Sequence, residues 1–312
     1  CSKIHTLRAL RAAKTDTGCE ENEKREVKMN EKNRTEKGVL YLVGTPIGNL
    51  SDMSERAVKI LSEVDFIAAE DTRVTLKLLN KFEISTPMVS YHEHNKRVAG
   101  ERLIARLLAG ESCALITDAG MPAISDPGED VVALAAEAGV RVSVVPGPCA
   151  AVSALAMSGL PTGRFAFEGF LPVKGKERRG RIEALSHEAR TAILYEAPHK
   201  LVTTLTDLCD ALGGERRISL CRELTKLNEE VLRFTLAEAV KYYSEREPRG
   251  EYVLILEGIE SVAAEEDFSA LSPEEHVKRY TDAGMSRKDA IKAAAKDRGM
   301  AKSEFYKLVA ND

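Results

Sequence analysis

Tryptophan is absent from this 312-residue chain, no two cysteines form a Cys-x-x-Cys pair, and no apolar run approaches the ~18 residues of a membrane-spanning helix. The last absence sets the expectation that the chain crosses no membrane and works in the cytoplasm. The six cysteines, Cys1, Cys19, Cys113, Cys149, Cys209 and Cys221, sit mostly inside apolar segments. That is the pattern of reduced, buried thiols rather than of a zinc site, so no metal is expected. A surplus of positive charge is missing as well: 45 Lys and Arg stand against 49 Asp and Glu, a net charge of −4. A polyanionic partner must therefore be met by a local basic patch.

Two phosphate-loop signatures are also missing. The stretch GVLYLVGTPIGNLSD (38–52) is an apolar run of strand type broken by a glycine-bearing turn, the usual setting of a phosphate cradle. A Walker-type loop ends in Gly-Lys-Ser/Thr, whose lysine neutralises phosphate and whose hydroxyl ligates magnesium. Here Gly48 is followed by Asn49 and Leu50. A dinucleotide loop requires G-x-G-x-x-G, and GTPIGN has neither that spacing nor the third glycine. Triphosphate hydrolysis and hydride transfer both lose their support. What is left is a ligand approached closely by backbone, with Pro46 fixing φ and Gly44 and Gly48 leaving room.

From Gly38 to about Leu160, short β-rich runs alternate with amphipathic stretches, which predicts an α/β layer with parallel strands. Each strand runs into a glycine- or acid-bearing loop: GTPIG, AEDTR, TDAGMPAISDPG and VPGPCAA. In an open α/β sheet these loops share the ligand-facing carboxyl edge. A second α/β unit with more antiparallel pairing is expected over 161–260. After an acidic linker at 263–267, a helical module is expected over 270–312, within which 284–309 reads as two short helices, the first capped by Ser286 with Asp289 and stopped by Gly299, the second over Lys302–Val309. Residues 1–37 are polar and rich in Lys and Glu. They are expected to be a disordered or non-native extension, with Met29 a candidate start and the acidic Glu20, Glu21, Glu23 and Glu26 arguing against a transit peptide.

YLVGTPIGNLSDMSERA, AAEDTRVTLKLLNKF, SYHEHN, ITDAGMPAISDPGEDVV, VVPGPCAAVSALAMSGL, FEGFLP, YEAPHK, RELTKLNEE and GEYVLILEG stand in that order over residues 38–258. In order and spacing they resemble the 16S ribosomal RNA (cytidine-2'-O)-methyltransferase family, a branch of the tetrapyrrole-methylase superfamily. The resemblance implies two α/β domains, 38–160 and 161–260, with an S-adenosylmethionine cleft between them, plus a small C-terminal helical module. It further implies a homodimer that methylates a cytidine 2'-hydroxyl in the decoding region of 16S rRNA within the small ribosomal subunit. Cofactor contacts carried over by motif are Pro46, Ala119, Gly120, Met121, Ile124, Cys149, Ala150, Leu194, Tyr195 and Tyr252. The sequence departs from many relatives at Phe234, where they carry Gly, so the hairpin there is expected to bend differently.

Methyl transfer to an alcohol requires in-line positioning and help with the hydroxyl proton. Candidates at the ligand-facing edge are Glu70, Asp71, His92, Glu223 and Lys226. Glu70 and Asp71 also suit the cap of the helix that follows, His92 with His94 suits a solvated loop, and Arg222, Glu223 and Lys226 suit a surface ion-pair network. RNA contact is expected from Arg73, from Lys174, Lys176, Arg178 and Arg179 in KGKERRGR, and from Arg287 and Lys288 in the tail. Few aromatics interleave with KGKERRGR, so base stacking is not expected there. Two other functions are weighed: methylation of a tetrapyrrole precursor, which calls for clustered Arg and His facing a polycarboxylate ring, and a ligand-sensing nucleic-acid-binding regulator. The tail's nine basic against seven acidic residues over 272–312 argue against strong duplex binding.

Overall fold

The computed structural model describes residues 34–259 and 271–310. The expected N-terminal extension lies outside the described residues apart from its last four positions, and the acidic linker lies wholly outside them. The chain forms two compact units, one running to Leu185 and including Thr191–Glu257, the other made of Ser186–Arg190 and the chain from Gly258.

The first unit holds two five-stranded sheets. One is parallel throughout: β1 (Val39–Val43), β2 (Phe66–Ala69), β3 (Met88–Ser90), β4 (Cys113–Ile116) and β5 (Arg141–Val145), in the order β3-β2-β4-β1-β5. The runs FIAA and CALI are buried at every position because helices cover both faces. Alternation divides the core: Val39, Tyr41 and Val43 pack with Ala57, Ile60 and Leu61 of the helix Glu55–Glu63, whereas Leu40 packs with Leu103 and Leu107 of the helix Lys96–Leu108. The order places β1 between β4 and β5, so the loops after these three strands are neighbours at the carboxyl edge.

The other sheet contains β6 (Phe165–Phe170), β7 (Thr191–Glu196), β8 (Arg217–Arg222), β9 (Glu230–Thr235) and β10 (Tyr252–Leu256), ordered β6-β7-β10-β8-β9. Its pairings are antiparallel except between β6 and β7. Ala192, Leu194, Leu254 and Leu256 face the helices Pro198–Leu212 and Leu236–Ser244, while Ile193, Cys221, Val253 and Ile255 face the helix Ala150–Ser158. That helix leaves the loop after β5 of the parallel sheet and packs on the mixed one, which brings the two sheets to one site. The basic KGKERRGR is not a loop: the helix Gly175–Ser186 begins inside it, and Arg178, Ile182 and Leu185, at i, i+4 and i+7, form its buried face. At Phe234 the β8–β9 ladder runs in register, Ile218 opposite Phe234, with the ring packed on Tyr242 at 5.2 Å.

In the second unit the two helices expected over 284–309 are Arg287–Asp297 and Lys302–Ala310, and one more, Pro273–Asp282, precedes them. The additional one starts with a full capping box, Ser272 with Glu275, and a proline in its first turn. Ser286 caps the second helix by accepting from the Asp289 amide at 3.2 Å. Val277, Ala290, Ile291, Ala294, Phe305 and Val309 make a small core around the fully buried His276. The ring is held in its neutral form: Nδ1 accepts from Arg298 Nε at 3.1 Å and Nε2 lies 3.2 Å from Asp297 Oδ2.

Burial, then the neighbouring Arg298, depress the basicity of this imidazole, and Asp297 only partly offsets them. The unfolded ring takes up a proton near pH 6.5 while the folded ring resists until lower pH, so between those points the unfolded state binds more protons. Stability of the helical unit is therefore expected to fall as pH drops below about 6.5, and His276→Phe to flatten that slope, as read by hydrogen exchange at Ile291 and Phe305 between pH 7 and 5.

Candidate functional site

The three adjacent loops of the parallel sheet are stitched into one wall. Thr45 N–H donates to Gly120 O at 2.9 Å, Gly120 N–H returns a bond to Thr45 O at 3.1 Å, and Gly44 N–H donates to Val145 O at 3.2 Å. Gly44 lies directly against Gly147: a Cβ on Gly44 would fall 2.7 Å from Gly147 Cα and 2.8 Å from Met121 Sδ. Gly44 of GTPIG and Gly147 of VPGPCAA are thus required by a backbone-on-backbone crossing. In TDAGMPAISDPG, Ala123 (φ 66°) and Ser125 (φ 61°) occupy the left-handed region. Asp126 Oδ1 holds them there by accepting from Ala123 N at 3.0 Å and from Gly128 N at 2.6 Å.

Behind this wall, and closed on the other side by the ends of β7 and β10, lies a cavity of about 590 Å³. Ala119, Gly120, Met121, Ile124, Cys149, Ala150, Tyr195 and Tyr252 line it. Pro46 does not; its neighbour Ile47 does. Leu194 does not either, because strand alternation turns it into the core with Leu201 and Leu254. Phe167 and Phe170 meet the Tyr195 ring edge-on at 5.2 and 5.5 Å, and burial pushes the Tyr195 phenol up to about 12.

Four carboxyl groups, Glu70, Asp126, Glu196 and Glu251, lie on the cavity lining, with no Lys or Arg among its residues. Glu70 accepts from Thr117 Oγ1 at 2.9 Å. Asp126 keeps Oδ2 buried and without a hydrogen-bond partner. Asp126 and Glu196 are missed by sequence reasoning, whereas Glu251 stands beside Tyr252 in the motif GEYVLILEG; for Glu196 the available signal is a carboxylate at the end of an apolar run whose loop faces the ligand edge.

Beside the cavity, Lys226 Nζ lies 2.9 Å from both Glu223 Oε1 and Glu251 Oε2. Glu223 (φ 52°) and Thr225 (φ 65°) are both left-handed, a genuine outlier for a β-branched threonine. Two glycines clear space for the pair: a Cβ on Gly48 would meet Lys226 Cγ at 2.5 Å, and one on Gly250 would meet Glu223 Cγ at 2.5 Å. Burial draws the Lys226 ammonium down, but the bonds to Glu223 and Glu251 outweigh it and leave it raised. The Lys226 bond is the main reason the Glu223 carboxyl is lowered. Lys226 is therefore a fixed cation and Glu223 a fixed anion at neutral pH.

The remaining sequence candidates scatter. Asp71 is the cap of the helix Thr72–Lys81, accepting from Arg73 N at 2.8 Å. The Arg73 side chain, then its amide, lower its carboxyl to about 2. His92 donates its backbone N–H to Asn95 Oδ1 at 2.8 Å, and neither it nor Asp71 lines the cavity. Arg178 is a correction to the basic patch: it is buried, 2.7 Å from Asp207 Oδ2 and 3.1 Å from Thr204 Oγ1, so a phosphate cannot reach it. Lys174, Lys176 and Arg179 stay exposed and make no ion pair among the described residues. Arg287 bonds Glu274 at 2.8 Å, and Lys288 is exposed. Among the described residues no helix is long and apolar enough to cross a membrane, and no group of three or more His, Cys, Asp or Glu is placed to hold a metal ion.

Two sheets joined by the helix after β5, with backbone loops walling a cavity at their shared edge, define a class of α/β enzyme. Residues 39–240 match the family described as Tetrapyrrole (Corrin/Porphyrin) Methylases. Across 88% of its length the chain is 52% identical to the ribosomal RNA small subunit methyltransferase I of Halalkalibacterium halodurans, covering 96% of that protein. It is 45% identical over 88% of its length to the Bacillus subtilis protein of the same name, covering 94% of it, and 44% identical over 86% to that of Escherichia coli O157:H7, again covering 94%. The chain belongs to the tetrapyrrole methylases and, within them, to the ribosomal RNA small subunit methyltransferase I family, and it is a methyltransferase. The solved uroporphyrin-III-C-methyltransferase from Thermus thermophilus superposes with a TM-score of 0.50 at 22% identity, covering 70% of this chain and 94% of that one, a likeness of fold alone.

Proposed function

We propose that this protein transfers a methyl group from S-adenosylmethionine to the ribose 2'-hydroxyl of a cytidine in the decoding region of 16S rRNA. It acts on the small ribosomal subunit, in the cytoplasm, as a homodimer. Residues 38–160 and 161–260 supply the two halves of the cleft, and 270–312 a helical module that assists RNA docking. The observation that carries the reading is the acid-lined cavity with its backbone-built wall. Four carboxyl groups and no Lys or Arg repel a polyphosphate. They suit a cofactor that carries a sulfonium and an ammonium against a single carboxylate. The relatives' names direct the substrate to small-subunit rRNA.

The cofactor, when bound, supplies an electrophilic methyl carbon on a good leaving group. The chain's own residues then have to place the 2'-oxygen in line with that carbon and manage its proton. Lys226, held by Glu223 and by the lining residue Glu251, supplies the fixed positive charge that lowers the hydroxyl pKa. Glu70, the one sequence candidate for the base that lines the cavity, takes the proton. Exposed Lys174, Lys176, Arg179, Arg73 and Lys288 attract the RNA backbone.

Small subunits from a strain lacking the modification, incubated with the protein and methyl-labelled S-adenosylmethionine, are expected to take up label. A tetrapyrrole precursor offered in parallel should take up none; label in that precursor with unlabelled subunits would overturn the assignment.

A further inference from the structure

Glu196 ends β7 opposite Tyr252 and is 5% exposed, yet it belongs to the cavity lining. Both carboxylate oxygens are oriented from behind: Oε1 accepts from Ala197 N at 2.9 Å and Oε2 from Thr204 Oγ1 at 2.6 Å. Thr204 is fixed in turn by Arg178, whose guanidinium binds Asp207 rather than Glu196. The buried carboxylate thus has neutral hydrogen-bond donors but no cationic partner among the described residues, and two donors leave about half of its acceptor capacity unused. A buried anion of this kind is costly unless a cation arrives.

We infer that Glu196 binds the protonated amine of the methyl donor, an assignment that rests on the cofactor reading above. The sulfonium is the less suitable partner, because its charge disappears as the methyl leaves. A carboxylate against it would stabilise the ground state over the transition state and slow the reaction. The ammonium keeps its charge throughout, so pairing it anchors the cofactor without that penalty. Thr204 and Arg178 act as positioning residues, which gives a physical role to the one cation of KGKERRGR that is closed to RNA.

The test is calorimetric titration of the full chain, wild type and Glu196→Gln, with three probes: S-adenosylmethionine, S-adenosylhomocysteine, and 5'-methylthioadenosine, which lacks the amino-acid part. Glu196→Gln is expected to weaken the first two by the same factor, about 10- to 100-fold, and to leave the third unchanged. At saturating cofactor kcat should be unchanged while KM for the cofactor rises. Equal weakening of all three probes would assign Glu196 to holding the strand end alone, unchanged affinity for all would remove it from the site, and selective loss for the sulfonium probe would move the contact to sulfur. Each of these overturns the inference. Failure of wild type to bind any probe would instead refute the cofactor reading. Should Glu196→Gln not fold, Thr204→Val carries the same expectation at a smaller factor, and an unchanged Thr204→Val profile would count against it.

Discussion

Gly44→Val is expected to abolish cofactor binding, with affinity for S-adenosylmethionine falling more than about 100-fold and stability by about 1–3 kcal/mol or more. The branched side chain would need space already filled by Gly147 Cα at 2.7 Å and Met121 Sδ at 2.8 Å from the Cβ position. Non-bonded carbons prefer roughly 3.5–4.0 Å, so the loops after β1 and β5 would have to part. Parting them breaks the Gly44 to Val145 bond and disturbs the Thr45–Gly120 bridge, and with it the wall that Gly120, Met121 and Cys149 form. Gly163 has nothing within 4 Å of its Cβ position and does not use the left-handed region. Gly163→Ala should bind normally, so titration and thermal melts of the two variants separate crossing geometry from a generic cost of losing glycine.

Lys226→Met should lower kcat by about 10²- to 10³-fold while leaving cofactor affinity near wild type. Neither Lys226 nor Glu223 lines the cavity, and Lys226 reaches its lining through Glu251 alone, so ground-state binding of the cofactor depends on them little. The ammonium acts where the substrate oxygen becomes anionic, and a fixed charge there is a transition-state interaction. The variant also leaves the Glu223 carboxylate without its cation. Because that pairing lowers the folded-state carboxyl, its stabilisation is present above the unfolded value, near pH 4.3, and is lost as pH falls through the lower folded one. The stability gap between wild type and Lys226→Met should therefore close on acidification below about pH 4. A kcat that stays at wild-type level would remove Lys226 from the chemistry.

Most of the parallel sheet is legible in the sequence because its strands are short, continuous apolar runs between glycine-bearing loops. β3 is not, since its three residues, half-buried Met88 and Val89 and exposed Ser90, carry no period. The helix Ala150–Ser158 escapes for the opposite reason: AAVSALAMS is apolar on nearly every side, so it shows no amphipathic stripe. Arg178 was readable as structural from its spacing to Ile182 and Leu185, but the density of charge around it masks that stripe. In the site, eight of the ten cofactor residues carried over by motif line one cavity, and Pro46 and Leu194 fall away because a motif fixes a segment rather than which way each side chain points. Gly48 reads as room for a ligand; it is room for Lys226, 178 positions further along the chain, as Gly250 is for Glu223, 27 positions before it, and no local pattern spans such separations.

The most direct test is the identity of the product nucleoside. Small-subunit RNA labelled by the protein and S-adenosylmethionine, digested to nucleosides and resolved by mass spectrometry, should yield 2'-O-methylcytidine as the labelled species, with the amount reduced about 10²- to 10³-fold by Lys226→Met. Label on a cytosine ring, on another nucleoside or on no RNA at all would contradict the account.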